Sequence, residues 1–85
     1  MVDDEAGRPR ILVAEDDDLG RRLLQRIFAS LPCDVTIVAD GALAIEAFRR
    51  ERYDVVVTDL VMPKRDGIAL LRAIRETDLE VPVML

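Results

Sequence analysis

The stretch DVVVTDLVMPKRDG, residues 54–67, decides the fold, because it joins a run of three valines, through Thr58, to an acid and a loop. Residues 54–58 are mostly β-branched and are apolar on both faces of an extended chain, which predicts a central strand of a parallel sheet. Asp59 follows this strand at once, and a carboxylate is costly to bury without a partner. The sequence therefore predicts that Asp59 lies at the end of the strand, in a crevice open to solvent and ions.

Strand and helix patterns alternate on both sides of this stretch. Short apolar runs predict a first strand at residues 10–14, a second at 34–39 and the start of a fourth at 81–85. The resulting order βαβαβαβ is typical of an α/β fold. Its parallel sheet should carry helices on both faces, joined by right-handed crossovers.

Apolar residues at helical spacing predict three amphipathic helices between these strands. They are Leu19, Leu23, Ile27 and Leu31 in the first helix, Ala44, Ile45 and Phe48 in the second, and Ile68, Leu71 and Ile74 in the third. We expect Asp17 or Asp18 to cap the first helix, which should end before Pro32. The pair Asp40-Gly41 predicts a turn before the second helix.

A second group of acids, Glu15 and Asp16, follows the first predicted strand. In such sheets ligands bind beyond the carboxyl ends of the strands, at the switch point in strand order. If the first and third strands are neighbours, Glu15, Asp16 and Asp59 converge there and repel one another. Mg²⁺ would relieve this repulsion, and a carboxylate beside Mg²⁺ is a plausible nucleophile toward phosphorus. The alternative is that the acids after the first strand only cap a helix.

Composition narrows the function further. The 85 residues allow one domain, and the net charge of −5 argues against nucleic-acid contact by this segment. Histidine is absent, which excludes a phosphohistidine and most zinc sites, and the single cysteine excludes an internal disulfide. No apolar run is long enough for a membrane span, and residues 1–9 look like a polar leader. We expect a cytoplasmic protein without membrane contact.

Four separated blocks resemble the receiver domain of bacterial two-component response regulators. They are ILVAEDDDLGRRLL, ADGALAIEAF, YDVVVTDLVMPKRDGIALL and VPVML. The resemblance covers residues 10–85, as the N-terminal portion of a receiver domain. It implies a flavodoxin-like (CheY-like) doubly wound parallel sheet with strand order 2-1-3-4-5. It also implies that Asp59 accepts a phosphoryl group from the phosphohistidine of a sensor histidine kinase or phosphotransfer protein, with Mg²⁺ as cofactor.

The resemblance assigns individual roles to the residues near Asp59. Asp16 matches the direct Mg²⁺ ligand, and Glu15 matches the outer acid that acts through water. Asp59 itself and the backbone carbonyl of Val61 match the other protein ligands. The side chain of Val61 cannot hydrogen-bond an attacking water, so this position should not assist hydrolysis of an aspartyl phosphate.

Three further positions bear on the loop and the site. Pro63 and Gly67 match positions that shape the active-site turn and begin the third helix. Glu15 stands where the family more often has Asp, which changes the reach of the side chain but not its charge.

Receiver domains also carry a Ser or Thr after the fourth strand and a Lys after the fifth, and the 85 residues include neither position. We expect an incomplete domain that lacks the last helices and the fifth strand, with impaired activity. We expect either that these 85 residues are part of a longer polypeptide, which we favour, or that copies of the fragment associate through the exposed sheet edge. An output domain or a separate target protein is the expected downstream partner.

Two alternatives to the phosphoacceptor remain open at this level. The absent Ser or Thr and Lys favour a protein-interaction module that is not phosphorylated. The spacing of Asp16 and Asp18 after a first strand superficially resembles a Mg²⁺-dependent phosphohydrolase with an Asp nucleophile. A phosphohydrolase would turn over phosphate esters, whereas a receiver domain is a regulatory protein that takes up one phosphoryl group.

Overall fold

A computed structural model of the chain describes residues 7–58 and 66–84. Four strands alternate with three helices within these residues. In chain order they are β1 (Arg10–Ala14), α1 (Asp18–Ala29), β2 (Asp34–Val38), α2 (Gly41–Arg50), β3 (Val55–Thr58), α3 (Asp66–Thr77) and β4 (Val83–Met84). The predicted α/β order is therefore confirmed.

The four strands form one parallel sheet in the order β2-β1-β3-β4. β1 lies between β2 and β3, so the first and third strands are neighbours as the site hypothesis requires. The chain runs from β1 through α1 to β2 at one edge of the sheet. It then returns through α2, past β1, to β3. Because both crossovers have the same hand, they place α1 and α2 on opposite faces.

The face under α2 and α3 holds the core. Alternate strand residues point into it, as the twofold period of a strand requires, and both helices pack against them. The fully or almost fully buried members are Leu12, Ala14, Ala44, Tyr53, Val56, Leu70, Ile74 and Val81. Phe48 packs against this cluster and stacks on Tyr53, with ring centroids 6.4 Å apart. Among the described residues, α1 contributes none to this buried cluster.

The face under α1 is covered much less completely. Val13 is buried on the β1 strand, but α1 contacts chiefly β2 and buries none of its own residues. The four apolar residues of the predicted stripe are all exposed, at 73% for Leu19, 58% for Leu23, 48% for Ile27 and 46% for Leu31. The periodicity thus predicted the helix correctly for Leu19, Leu23 and Ile27, whereas Leu31 lies beyond the helix end at Ala29, and none of the four is buried in a core.

The start and end of α1 agree with the sequence prediction, whereas two other predictions, the turn at Asp40-Gly41 and the buried face of α3, are corrected. Asp17 is the N-cap of α1, and the helix ends at Ala29, before Pro32, as predicted. Asp40 and Gly41 do not form a separate turn, because the Asp40 carboxylate caps α2 and Gly41 is its first residue. In α3 the buried residues include Leu70, whereas Ile68 is 43% exposed.

A polar network ties β1 to the α2–β3 connection at the amino ends of the strands. The Arg10 guanidinium pairs with Glu51 and lies 5.5 Å from the ring centroid of Tyr53. The Arg10 N–H donates to Asp54 Oδ2 at 2.8 Å, and the Asp54 N–H donates to the Arg10 carbonyl at 2.7 Å. These bonds fix the register of β1 against β3.

The connection between α3 and β4 is ordered by one carboxylate and one guanidinium. Asp78 Oδ1 accepts from the N–H groups of Glu80 and Val81, at 2.9 and 3.0 Å. Arg75 donates to the carbonyls of Asp78 and Val81, at 3.2 and 2.8 Å. Across the described ranges, no helix is long and apolar enough to cross a bilayer.

Candidate functional site

The candidate site lies where β1 and β3 leave the sheet side by side. Ala14 and Thr58 are register partners at the carboxyl ends of these two strands. The Glu15 N–H donates to the Val38 carbonyl at 3.0 Å, so the chain still follows the sheet at this point. Because the strands are parallel and in register, their carboxyl ends lie at the same edge of the sheet. Asp59, the residue after Thr58, lies outside the described residues.

Four consecutive acids at this edge divide into three with structural partners and one without. Glu15 Oε2 accepts from the Asp17 N–H at 3.2 Å, and Asp17 Oδ2 accepts from the Gly20 N–H at 2.7 Å. Asp18 pairs with Arg21. The exposed Asp16 carboxylate makes no hydrogen bond or ion pair with any residue that the structure describes. Asp16 is therefore the acid of the four that is available to a ligand.

The helix start explains how this concentration of negative charge is tolerated. The four acids lie at the N-terminus of α1, where the helix dipole and the free N–H groups favour anions. Arg21 adds a positive charge from the next turn, and its Nη1 donates to the Glu15 carbonyl at 2.9 Å. Sequence reasoning missed this role of Arg21, which its spacing of three residues from Asp18 could have indicated.

The hydroxyl of Thr58 is a second feature that the sequence pattern did not indicate. Thr58 is 3% exposed, and its Oγ1 has no hydrogen-bond partner within the described part of the chain. It shares the α2 and α3 face with Val56, two residues before it. The strand that leads to Asp59 therefore ends in a buried polar group.

Comparison with known proteins identifies the family. The model of the response regulator receiver domain matches residues 11–85, which is most of the chain. The chain belongs to the response regulator receiver domain family. The predicted family and its CheY-like fold are thus confirmed.

Individual receiver domains agree with this assignment. The response regulator receiver protein CpdR of Brucella abortus is 40% identical over 75 residues, which cover 88% of this chain and 62% of that protein. The receiver domain of the Francisella response regulator 1452 has a TM-score of 0.78 at 36% identity, over 89% of this chain and 63% of the other. The receiver domain of the Pseudomonas aeruginosa sensor histidine kinase PA1611 has a TM-score of 0.80 at 33% identity, over 89% and 64%.

The chain spans less than two thirds of the length of each of these three proteins.

The PA1611 receiver domain has a magnesium ion coordinated in its active site cleft. Membership in the family makes this chain a regulatory domain of two-component signalling.

The other site residues that the sequence predicts fall partly beyond the described structure. Asp59, Val61 and Pro63 all lie outside it, and Gly67 is the second residue of α3, which begins at Asp66. Within residues 7–58 and 66–84, no three side chains of metal-binding type form a cluster able to hold an ion. The predicted set needs Asp59 as its third carboxylate.

The donors that the structure does describe suit Mg²⁺. Glu15 and Asp16 supply only carboxylate oxygens, which are the ligands that this hard cation prefers. The chain has no histidine, and its one cysteine, Cys33, lies in the α1–β2 connection. The chemistry of this receiver edge therefore fits Mg²⁺ and does not fit a softer metal.

Proposed function

We propose that this receiver domain is a phosphorylation-dependent switch that accepts a phosphoryl group on Asp59 with Mg²⁺. The donor is the phosphohistidine of a histidine kinase or phosphotransfer protein. A carboxylate oxygen of Asp59 would attack phosphorus while the bond from phosphorus to the histidine nitrogen breaks, which leaves an acyl phosphate. An output domain or target protein would respond to the phosphorylated form, and we place the exchange in the cytoplasm.

The observation that carries this proposal is the pairing of Ala14 with Thr58, together with the partnerless carboxylate of Asp16. The register sets the carboxyl ends of β1 and β3 side by side at one edge of the sheet, which supports a place for Asp59 beside Asp16. Asp16 is left without a protein partner among the described residues, although its three acidic neighbours all have one. An exposed acid without a structural contact is well placed to serve as a direct metal ligand.

The proposed roles follow the chemistry of each group. Asp16 and the carbonyl of Val61 would contact Mg²⁺ directly, and Glu15 would hold it through water. The bound ion would neutralise negative charge on the transferring group. Pro63 and Gly67 would shape the loop that carries Asp59 into α3.

Phosphorylation by a small donor tests the proposal directly. In a chain extended to a complete receiver domain, acetyl phosphate and Mg²⁺ should add one phosphoryl group, observed by intact mass, and the Asp59→Asn variant should add none. The 85 residues alone should react far more slowly, because the family Lys that contacts the phosphoryl group is missing from them. A single group per chain, without turnover of p-nitrophenyl phosphate, distinguishes the receiver from a Mg²⁺-dependent phosphohydrolase. Phosphorylation that persists in Asp59→Asn would refute the assignment of the acceptor.

The metal is tested by a matched pair of neighbouring acids. Asp16→Asn should raise the melting temperature without Mg²⁺, because it relieves repulsion, and should abolish the stabilisation by added Mg²⁺. Asp17→Asn removes the same charge but keeps an N-cap, since Asn caps helices as well as Asp does. It should retain the response to Mg²⁺. An unchanged response in Asp16→Asn would remove Asp16 from the site.

A further inference from the structure

Gly20 occupies a place in α1 where any other residue would meet the side chain of Glu15. A Cβ built on Gly20 would lie 3.3 Å from both Cγ and Cδ of Glu15, and 3.2 Å from Oδ2 of Asp17. Carbon atoms in good contact are about 3.5–4.0 Å apart. The Glu15 side chain therefore lies close beside the backbone of Gly20, where a Cβ would contact it more tightly than is usual.

The contact with Glu15 distinguishes this site from an ordinary helix start. Gly20 is the third residue of α1, and its N–H is bound by the cap residue Asp17 at 2.7 Å. The capping box shows that a side chain at this third position is compatible with the cap bond. Glu15 lies two residues before the cap, and its close approach to the third helical residue is not part of the capping interaction.

Helix formation does not explain a glycine at this position. Gly is less favourable than Ala inside a helix, because its unfolded backbone has more freedom to lose. The φ angle of Gly20 is helical, so the backbone does not require glycine. What Gly20 supplies is free space beside the carboxylate that follows β1.

We propose that Gly20 is a positioning residue for the Glu15 carboxylate, and that Glu15 and Gly20 act as a pair. The inference rests on the proposed Mg²⁺-dependent function. A Glu side chain is one methylene longer than the Asp more common at this position. The extra length folds over Gly20, and the carboxylate is held at the Asp17 N–H, 3.2 Å from the nitrogen, one residue from Asp16. A side chain at position 20 would push Glu15 by a few tenths of an ångström and so shift its carboxylate relative to the Asp17 N–H.

A double-mutant cycle measures the coupling between the two residues. The four chains are the natural sequence, Gly20→Ala, Glu15→Asp and the double variant, and Mg²⁺ affinity is measured by isothermal titration calorimetry. Gly20→Ala alone should weaken Mg²⁺ binding about tenfold, as displaced outer-sphere partners of metal sites do. In the Glu15→Asp background, which lacks Cδ, one of the two crowded atoms, Gly20→Ala should weaken Mg²⁺ binding clearly less than it does in the natural background.

Amide exchange tests the same displacement without metal. In Gly20→Ala the Asp17 N–H should lose its acceptor and exchange faster. In the double variant the shorter carboxylate introduced at position 15 can accept from the same N–H in an Asx turn, so exchange should stay slow. Circular dichroism should show helix content equal to or above that of the natural chain. This result separates displacement of Glu15 from unfolding of α1.

The possible outcomes separate this proposal from the proposed function. An equal loss of Mg²⁺ affinity from Gly20→Ala in both backgrounds overturns the pairing with Glu15, while Mg²⁺ binding itself stands. An unchanged affinity in Gly20→Ala also overturns it. Failure of the natural chain to bind Mg²⁺ refutes the proposed function, and the positioning role falls with it.

Discussion

The two faces of the sheet differ in how completely they bury the apolar residues of the helices that cover them. Under α2 and α3, the residues Ala44, Leu70 and Ile74 are completely buried against the strands. On the other face, α1 buries no residue, and Leu19 and Leu23 are more than half exposed. All three helices have an apolar stripe in the sequence. The difference shows that amphipathic periodicity identifies a helix and its apolar side, but not how completely its neighbours cover that side.

The spatial neighbours of the helices account for this difference. α2 and α3 pack against each other as well as against the sheet, and Val81 and Tyr53 close the cluster from the connections. α1 makes its main contact with β2, at the edge of the sheet. A helix that packs mainly on an edge strand leaves its large apolar residues, here Leu19, Leu23 and Ile27, largely exposed.

The largest expected effect comes from a matched pair of isoleucines in α3 and α1. Ile74→Ala empties a fully buried site and should lower the free energy of unfolding by about 2–5 kcal/mol. Ile27→Ala truncates a side chain that is 48% exposed and should change it by about 1 kcal/mol or less. Urea denaturation of both variants measures the difference. Equal losses would contradict the contrast between the two faces.

A smaller effect is expected at the two helix caps. Asp40→Ala removes the acceptor for the Leu43 N–H, at 2.8 Å, and should lower global stability by about 1 kcal/mol, because α2 belongs to the core. Asp17→Ala removes the equivalent bond in α1 and should instead speed amide exchange in the first turn, with less change in the global transition. The corresponding Asn variants are the controls, since they retain a cap. A larger global loss from Asp17→Ala would reverse the comparison.

Lowering the pH should reduce the stability of the fold, in part through protonation of Asp78 beside the face packed by α2 and α3. Hydrogen bonds from the N–H groups of Glu80 and Val81 lower the pKa of this carboxyl below its ordinary value of 3.8, with Arg75 and Arg52 contributing. Because the folded-state pKa is depressed, this stabilisation is present above pH 3.8 and is lost as the pH falls through the lower, folded-state value. The melting temperature should therefore fall less between about pH 6 and about pH 3 in Asp78→Asn than it does in the natural chain.

The effect at Asp78 should be modest, because its carboxyl is exposed to solvent and screened. Asn can still accept from the Glu80 and Val81 N–H groups, so the variant tests titration and not the turn. An identical acid response in both chains would show that Asp78 does not contribute.

The smallest effect is expected for an ion pair on the outer side of α2. Arg50 Nη2 lies 2.7 Å from Glu46 Oε1, one turn apart, and both side chains are more than 60% exposed. Glu46→Gln should change the free energy of unfolding by less than about 0.5 kcal/mol, and this difference should vanish at high salt. Thermal melts at low and high salt check it. A large change would mean that the outer surface of α2 is also packed.

Much of the fold could be predicted because strands and helices depend on local pattern. β1 was predicted with its observed bounds, and β2 and β3 were each predicted one residue too long. The central place of β3 followed from its apolar character on both faces. The burial of Leu70 in place of Ile68 was not predictable, because it depends on the rotation of α3 against α2.

Of the candidate site, the sequence predicted the edge but not its local contacts. The acids at positions 15 and 16 do follow β1, next to the end of β3. The placement of Glu15 over Gly20 could not be predicted, because it depends on the side-chain conformation at a helix start. Asp59, Val61 and Pro63 remain predictions.

The position of β1 has a consequence for the order in which the chain folds. β1 is the first of the four strands to leave the ribosome, yet it pairs with both β2 and β3. Its residue Ile11, for example, is the register partner of Val35 on one side and of Val55 on the other. One edge of β1 must wait until synthesis has passed residue 58, since β3 ends there. We expect ribosome-bound chains that end before β3 to expose a half-paired apolar strand, and such intermediates to be the preferred clients of chaperones.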